Sequence, residues 1–267
     1  MNRGWIRMKT EKININLVKK FFSEYVKEYD YKDKQVKLKI LHIERVSQMA
    51  KKLAMELNLS EEDIKLAELI GLLHDIGRFE QIKNYHTFID SKSINHAEYG
   101  VKVLFEDGLI RRFIESNEYD NLIRKAILNH NRIKIEDGLS DKELLHAKLI
   151  RDADKLDIFY ILTFEDKKAV WGKDDISNEI ISDEIYREYI ENRAINYSHM
   201  KTGADLLVAN FAYVYNFYFK QSLIILKNKN YLEKIYKRFD FKDKITKERY
   251  EDIYKQVNLY IDDEIKN

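Results

Sequence analysis

Proline is absent from this chain of 267 residues, and glycine occurs only eight times. An average chain contains about 5% proline and about 7% glycine, the two residues that most often end helices and form tight turns. Their scarcity predicts long helices with few tight turns. It disfavours collagen-like chains, proline-rich linkers and a turn-rich β-sandwich.

The rest of the composition excludes several kinds of site. With no cysteine, the chain forms neither a disulfide nor a cysteine-ligated metal centre. The 47 Lys and Arg nearly balance the 46 Asp and Glu, and the net charge of +1 lacks the sustained positive field that nonspecific nucleic-acid binding needs. No specific nucleic-acid binding is expected, although a local basic cleft stays open.

The N-terminal residues do not read as a signal peptide. Residues 1–7 are basic, and Lys9, Glu11 and Lys12 interrupt any apolar stretch behind them. We therefore expect a cytoplasmic protein. Met8 is an alternative to Met1 as the biological start, and the sequence does not choose between them.

Apolar residues recur at helical spacing along most of the chain. Ser60 followed by acidic residues predicts an N-cap, Gly77 predicts a helix end, and Ser140 with Glu143 predicts a capping box. A loop is expected over 78–93. The predicted helices are 35–57, 60–76, 95–106, 120–131, 140–164, 183–192, 201–227 and 230–266.

The segment 211–226 is the most apolar of these. It contains Asn216, Lys220 and Gln221 and is shorter than the roughly 20 apolar residues of a membrane span. A packed helix is the better interpretation, and no membrane association is expected. Its aromatic residues would point all round such a helix, which favours a core or a subunit interface over a base-stacking platform. The C-terminal helices are thus a candidate surface for homo-oligomer formation.

Four polar residues interrupt apolar helix faces or end an apolar run. His42 lies within about 40° of Val46, Met49 and Leu53 on a helical projection, and Asp154 shares its face with Ala147 and Ile150. His74 and Asp75 follow the apolar run 69–73. Each residue alone also fits a hydrogen-bonded core position. Together, nitrogen and oxygen ligands on separate helices would suit a borderline or hard divalent ion.

These residues resemble a known signature. His42, the pair His74 and Asp75 within Leu-Leu-His-Asp-Ile-Gly-Arg, and Asp154 within Arg-Asp-Ala-Asp-Lys-Leu-Asp look like the His, His-Asp, Asp pattern of the HD-domain superfamily of metal-dependent phosphohydrolases. The resemblance covers roughly residues 38–164. It implies an all-α fold, with a helical bundle around a buried metal site. The helical spacing beyond residue 164 predicts additional C-terminal helices. The expected division is an extension and first helix at 1–34, the metal-binding core at 35–165 and a C-terminal helical region at 166–267.

The resemblance also bears on how many ions are bound. His96 and His130 occupy places where some members of the superfamily hold a second metal. This implies that His42, His74 and Asp154 hold one ion, that His96 and His130 hold another, and that Asp75 bridges them as the central catalytic carboxylate. Both added histidines also fit a helix-cap or surface role, and mononuclear members exist. One or two ions are therefore allowed; Mn or Fe is favoured, with Zn, Ni, Co and Mg open.

Further charged residues surround this signature. Arg45, Arg78 and Lys155 are candidates for binding substrate phosphate, although each also fits a solvated charge or a salt bridge. Asp157 lies about 60° from Asp154 on the helix and is expected to orient a ligand or substrate, whereas Asp152 lies about 160° away and is expected at the surface. His86, His146 and His199 are assigned to structure.

Two functions are compatible with this sequence. The resemblance implies hydrolysis of a phosphate ester or anhydride in a small phosphorylated substrate, often a nucleotide. The alternative is a non-catalytic HD module that binds metal and nucleotide as a sensor or regulator. The pattern does not choose among nucleoside monophosphates, dinucleoside polyphosphates, cyclic nucleotides and triphosphates.

Overall fold

The computed structural model describes residues 12–30 and 32–267, and it contains helices and no strand within those ranges. The all-α prediction is confirmed. The two alternative starts, Met1 and Met8, lie outside the described residues, as does much of the predicted N-terminal extension. The chain divides into two compact units, one up to Ile150 and one from Arg151 to Asn267. The domain limits expected at 34 and 165 stay predictions.

The first unit is built from consecutive helices joined by short connections. The helices are α1 Ile15–Val26, α2 Lys34–Glu56, α3 Glu61–Leu73, α4 Gly77–Tyr85, α5 His96–Val101, α6 Ile110–Phe113, α7 Asp120–His130 and the start of α8 Asp141–Phe164. A three-residue 3-10 turn, Asp90–Lys92, precedes α5, and a π-helical turn, Lys102–Glu106, follows it.

The pair α2 and α3 carries much of the core of this unit. The predicted N-cap at Ser60 is confirmed, since its hydroxyl accepts a hydrogen bond from the backbone N–H of Asp63 at 3.1 Å. Where the helices cross, a Cβ on Gly71 would lie 2.5 Å from Cα of Ser47, so only glycine allows this approach. The Ser47 hydroxyl donates to the carbonyl of Glu68 at 2.7 Å. The close crossing brings His42 of α2 near His74, which directly follows α3.

The helix end predicted at Gly77 is wrong. Gly77 begins α4, which occupies the first half of the expected loop over 78–93. A Cβ on Gly77 would lie 2.3 Å from the carbonyl oxygen of His96 and 2.4 Å from the amide nitrogen of Gly100. The glycine therefore allows α4 and α5 to touch. Helix α3 ends earlier, at Leu73, and α4 ends at Tyr85, where the C-cap residue His86 has a left-handed φ of 55°.

The second unit contains shorter helices than expected. These are α9 Lys167–Trp171, α10 Asp183–Asn192, α11 Gly203–Ala212, α12 Lys220–Asn228, α13 Tyr231–Tyr236 and α14 Lys244–Lys266, after the end of α8. The continuous helices predicted over 201–227 and 230–266 are both wrong. A 3-10 turn, Tyr213–Asn216, and extended residues separate α11 from α12. Asp243 caps α14 by accepting from the amide of Thr246 at 2.7 Å.

The surface position expected for Asp152 is also wrong. Its side chain is fully buried. It accepts hydrogen bonds from the amides of Tyr218 and Phe219, each at 3.0 Å, and from the hydroxyl of Ser222 at 2.7 Å. These donors hold the chain extended before α12, which explains the break in the predicted helix.

The aromatic segment 211–219 does not form one helix. Phe211 lies in the core at the end of α11, while Tyr213 and Tyr215 are partly buried in the turn that follows. Among the helices that the structure describes, none combines the length and the apolar character needed to cross a bilayer.

Candidate metal centre

Four histidines and one aspartate meet in the first unit. His42 comes from the middle of α2, and His74 and Asp75 directly follow α3. His96 is the first residue of α5, where Asn95 rather than the histidine caps the helix by accepting from Ala97 N at 2.9 Å. His130 is the last residue of α7. All five side chains are buried.

The Asp75 carboxylate lies between two histidine pairs. Oδ2 is 3.6 Å from His42 Nε2 and 3.7 Å from His74 Nε2. Oδ1 is 3.3 Å from His96 Nε2 and 3.6 Å from His130 Nε2. Among the described residues, His42, His74 and Asp75 form one group of suitable metal ligands, and Asp75, His96 and His130 form another. Asp75 is the member that both groups share.

The opposite ring nitrogens fix the tautomers of three histidines. Nδ1 of His74 lies 2.8 Å from the carbonyl of Gly71, and Nδ1 of His130 lies 2.6 Å from the carbonyl of Ile127. Nδ1 of His96 lies 2.6 Å from Oδ2 of Asp90. Because these oxygens only accept, each Nδ1 carries the proton and donates it. In the neutral rings, Nε2 then presents a lone pair towards Asp75, which is how metal-binding histidines are usually held.

The spacing within the second pair fits a cation. His96 Nε2 and His130 Nε2 lie 3.0 Å apart. Two lone pairs facing each other at this distance repel. Nitrogen ligands about 2.1 Å from one ion and at right angles to each other are separated by about 3.0 Å. The donor set therefore fits a divalent ion at this position.

The family comparison agrees with this geometry. Residues 40–158 match the family model of the HD domain. This segment is therefore similar to the HD domain. No curated protein and no solved structure matches the chain. The HD-domain match implies the superfamily of metal-dependent phosphohydrolases, whose members are mostly hydrolases, and the histidine and aspartate clusters indicate divalent-metal binding.

Lys39 is a charged residue beside Asp75 that sequence reasoning missed. Its Nζ lies 2.8 Å from Oδ2 of Asp75, and its side chain is 20% exposed. Burial would raise the pKa of Asp75, but the Lys39 ammonium and the surrounding imidazoles outweigh it and hold this pKa well below its usual range. Lys39 lies three positions before His42 on α2. That spacing of nearly one helical turn was the signal available in the sequence.

Two of the predicted phosphate-binding residues lie in the first unit. Nη1 of Arg78 donates to Asp90 Oδ1 and to the carbonyl of Phe88, both at 2.7 Å, and to Gln81 Oε1 at 2.9 Å. Its Nε lies 3.6 Å from Oδ1 of Asp75. Arg45 is partly buried on α2. Phosphate binding by either residue stays a prediction.

The remaining predicted site residues follow Ile150 and belong to the second unit. Asp154 is partly buried on α8 and Asp157 is buried; metal binding by the first and ligand orientation by the second stay predictions. Lys155 is buried and donates to the carbonyl of Asn216 at 2.7 Å. Burial lowers the pKa of Lys155 to about 8, against the opposing effect of Asp152.

The other histidines have separate partners. Nε2 of His146, a fully buried residue, lies 3.1 Å from Oδ1 of Asp63. His199 pairs with Glu188 through its Nδ1, and His86 is exposed. A structural role for each of the three stays a prediction, and His199 also lies close enough to Glu184 and Glu188 for the three to bind a metal ion.

Proposed function

We propose that this protein is a metal-dependent phosphohydrolase that uses two divalent ions in its HD domain to cleave a phosphate ester or anhydride bond. Nucleotides are the proposed substrates. The observation that carries the proposal is the position of Asp75, whose two oxygens face two separate histidine pairs. A carboxylate placed in this way could be shared by two neighbouring cations of a two-metal site.

The ligand set defines what the centre would do. His42 and His74 with Asp75 would hold one ion, His96 and His130 with Asp75 the other, and Asp154 is the remaining ligand assigned to the first ion. Ions bound there would polarise phosphoryl oxygens and lower the pKa of a shared water towards neutrality. The mixture of imidazole and carboxylate favours Mn or Fe and also accepts Zn, Ni, Co or Mg.

The side chains around the centre would orient the substrate. Lys39 is the ammonium that contacts Asp75, and its partial exposure lets it reach a phosphate as well. Arg45, Arg78 and Lys155 remain candidates for the same task. A cation beside the phosphoryl group would stabilise the negative charge that develops there in the transition state. Nucleotides are the substrate class that the HD-domain resemblance implies.

Hydrolysis of a substrate panel tests this function. The purified protein is incubated with Mn, Fe, Co, Ni or Mg and with nucleoside monophosphates, triphosphates, dinucleoside polyphosphates and cyclic nucleotides, while released phosphate and nucleoside are measured. Asp75→Ala serves as the matched inactive variant, and its circular dichroism should match that of the wild type. We expect metal-dependent turnover that this substitution abolishes.

A different result would favour the sensor alternative. Protein shown to contain two ions but inactive on every substrate would indicate an HD module that binds metal without hydrolysis. Normal turnover by Asp75→Ala would contradict the role assigned to the shared carboxylate.

A further inference from the structure

We propose that Asp90 positions His96 for the second ion and that binding of this ion depends on the Asp90 carboxylate. The proposal rests on the two-ion centre proposed above. It assigns a role to the segment between α4 and α5, which the sequence pattern indicated only as a loop. Asp90 does not belong to either group of metal-ligand residues and acts through His96.

The partner of His96 differs from those of its neighbours. His74 and His130 donate their Nδ1 protons to backbone carbonyls, of Gly71 and Ile127. His96 donates to a carboxylate, Asp90 Oδ2, at 2.6 Å. A carboxylate behind an imidazole fixes its tautomer and makes the opposite nitrogen a stronger donor to a metal. Of these three rings, His96 is the one with an anionic partner.

The Asp90 carboxylate is itself held in place. Its Oδ1 accepts from Nη1 of Arg78 at 2.7 Å and from Nε2 of Gln81 at 3.0 Å. Gln81 is fully buried, and its Nε2 also lies within hydrogen-bond distance of Ser93 Oγ and the carbonyl of Ile94. Residues of α4 therefore fix the orientation of Asp90, and one of them, Gln81, is in turn held by the segment before α5.

The two halves of the centre consequently differ in charge. The half containing His42 and His74 has the Lys39 ammonium 2.8 Å from Asp75 Oδ2. The half containing His96 and His130 has the Asp90 carboxylate behind one of its imidazoles. The Arg78 guanidinium, which is bound directly to Asp90, partly offsets that negative charge. Loss of the Asp90 charge should therefore weaken the second ion while leaving the first in place.

Titration of metal-free protein with Co²⁺ tests this assignment, with visible absorption and calorimetry as the readouts. The wild type should bind two ions. Asp90→Asn should bind the first ion normally and the second about 10- to 100-fold more weakly, so that its isotherm approaches that of His130→Ala. Asp63→Asn is the matched control, because Asp63 also bonds a buried histidine, His146, outside the centre. It should leave both binding steps unchanged.

A spectroscopic measurement on the wild type separates positioning from general support of the fold. Nitrogen NMR of histidine-labelled, metal-free protein should show His96 as the Nδ1–H tautomer, and it decides the matter even if Asp90→Asn does not fold. The Nε2–H tautomer would overturn the proposal, as would wild-type binding of both ions by Asp90→Asn or equal weakening of both. If the wild type binds only one ion, the second metal site does not exist and the role proposed for Asp90 is wrong with it. A wild type that binds two ions without hydrolysing any substrate would contradict the proposed function alone.

Discussion

The Nε2 atoms of His96 and His130 lie 3.0 Å apart, although each ring donates its proton on the opposite side, to Asp90 and to the carbonyl of Ile127. Neutral imidazoles held in this way turn two lone pairs towards each other and towards Asp75 in a buried site. A cation between them removes the repulsion. The hydrogen bonds at Nδ1 therefore hold the two rings in an orientation that is favourable when a metal ion is bound between their Nε2 atoms.

Removal of the Lys39 ammonium should strengthen metal binding and weaken substrate binding. In metal-free protein Lys39 offers Asp75 a positive charge at 2.8 Å, which competes with an incoming ion. We expect Lys39→Met to raise the affinity for the first Mn²⁺ roughly tenfold and to raise KM for a phosphorylated substrate. Calorimetric titration and steady-state kinetics measure the two effects. Lys37→Met, an exposed position on the same helix, should change neither; a reduced Mn²⁺ affinity in Lys39→Met would rule out the competition.

A methyl group at Gly77 should destabilise the protein. The added Cβ would lie 2.3 Å from the carbonyl of His96 and would force α4 away from α5. We expect Gly77→Ala to lower the free energy of unfolding by about 1 to 3 kcal/mol and to weaken binding of the second ion. Gly100→Ala is the milder comparison and should cost less, because its added Cβ would lie 3.3 Å from the amide nitrogen of Gly77. Urea denaturation of both variants measures the difference, and equal midpoints would refute the close packing of the two helices.

His146 should make stability depend on pH. Burial lowers its pKa below the ordinary value of 6.5, although the neighbouring Asp63 carboxylate acts in the opposite direction. Its Nδ1 is buried with no hydrogen-bond partner among the described residues, so a proton added there finds no acceptor. Since the folded pKa is below the unfolded one, this contribution to stability is complete above pH 6.5 and is lost as the pH falls below it.

Urea denaturation at about pH 7.5 and about pH 5.5, with a chelator present, checks this expectation. His146→Gln should lose less stability between the two pH values than the wild type does. His86→Gln, at an exposed position, should behave like the wild type. An unchanged pH dependence in His146→Gln would show that His146 is not responsible.

Loss of the Asp152 carboxylate should destabilise the second unit. Two backbone amides and the Ser222 hydroxyl would lose their acceptor in a buried site. We expect Asp152→Ala to lower the free energy of unfolding by about 2 to 4 kcal/mol. Asp262→Ala removes an exposed carboxylate paired with Lys227 and should change it by about 0.5 kcal/mol or less. Similar losses in the two variants, measured by thermal and urea denaturation, would argue against the buried role.

The cluster of histidines around Asp75 was largely predictable because its members lie on apolar helix faces or follow an apolar run. The spacing of Val46 and Leu53 around His42 defines which way that histidine points, and the apolar run before His74 indicates a buried helix end. The order of these residues along the chain then matched one family signature. Periodicity could not place Asp90, which lies in a connection where no helical repeat applies. It could have placed Lys39 beside His42, but a lysine on a helix is ordinarily read as solvated.

The errors in the fold also have physical causes. The absence of proline suggested unbroken helices, yet His86, Arg193 and Asn230 adopt left-handed backbone angles at helix ends without being glycine. Such ends have no signal as strong as proline or glycine. For Asp152, the helical projection correctly placed it away from Asp154. It could not show that this second face of α8 is covered as well, because a projection gives directions and not neighbours.

A count of the ions bound around Asp75 decides whether this carboxylate is shared between two metals. Wild-type protein and Asp75→Ala are loaded with Mn²⁺, freed of excess metal and compared by elemental analysis, with retained secondary structure checked by circular dichroism. We expect two ions per wild-type chain and none held tightly by the folded variant. A wild type that retains no ion, or an Asp75→Ala variant that still retains two, would contradict it.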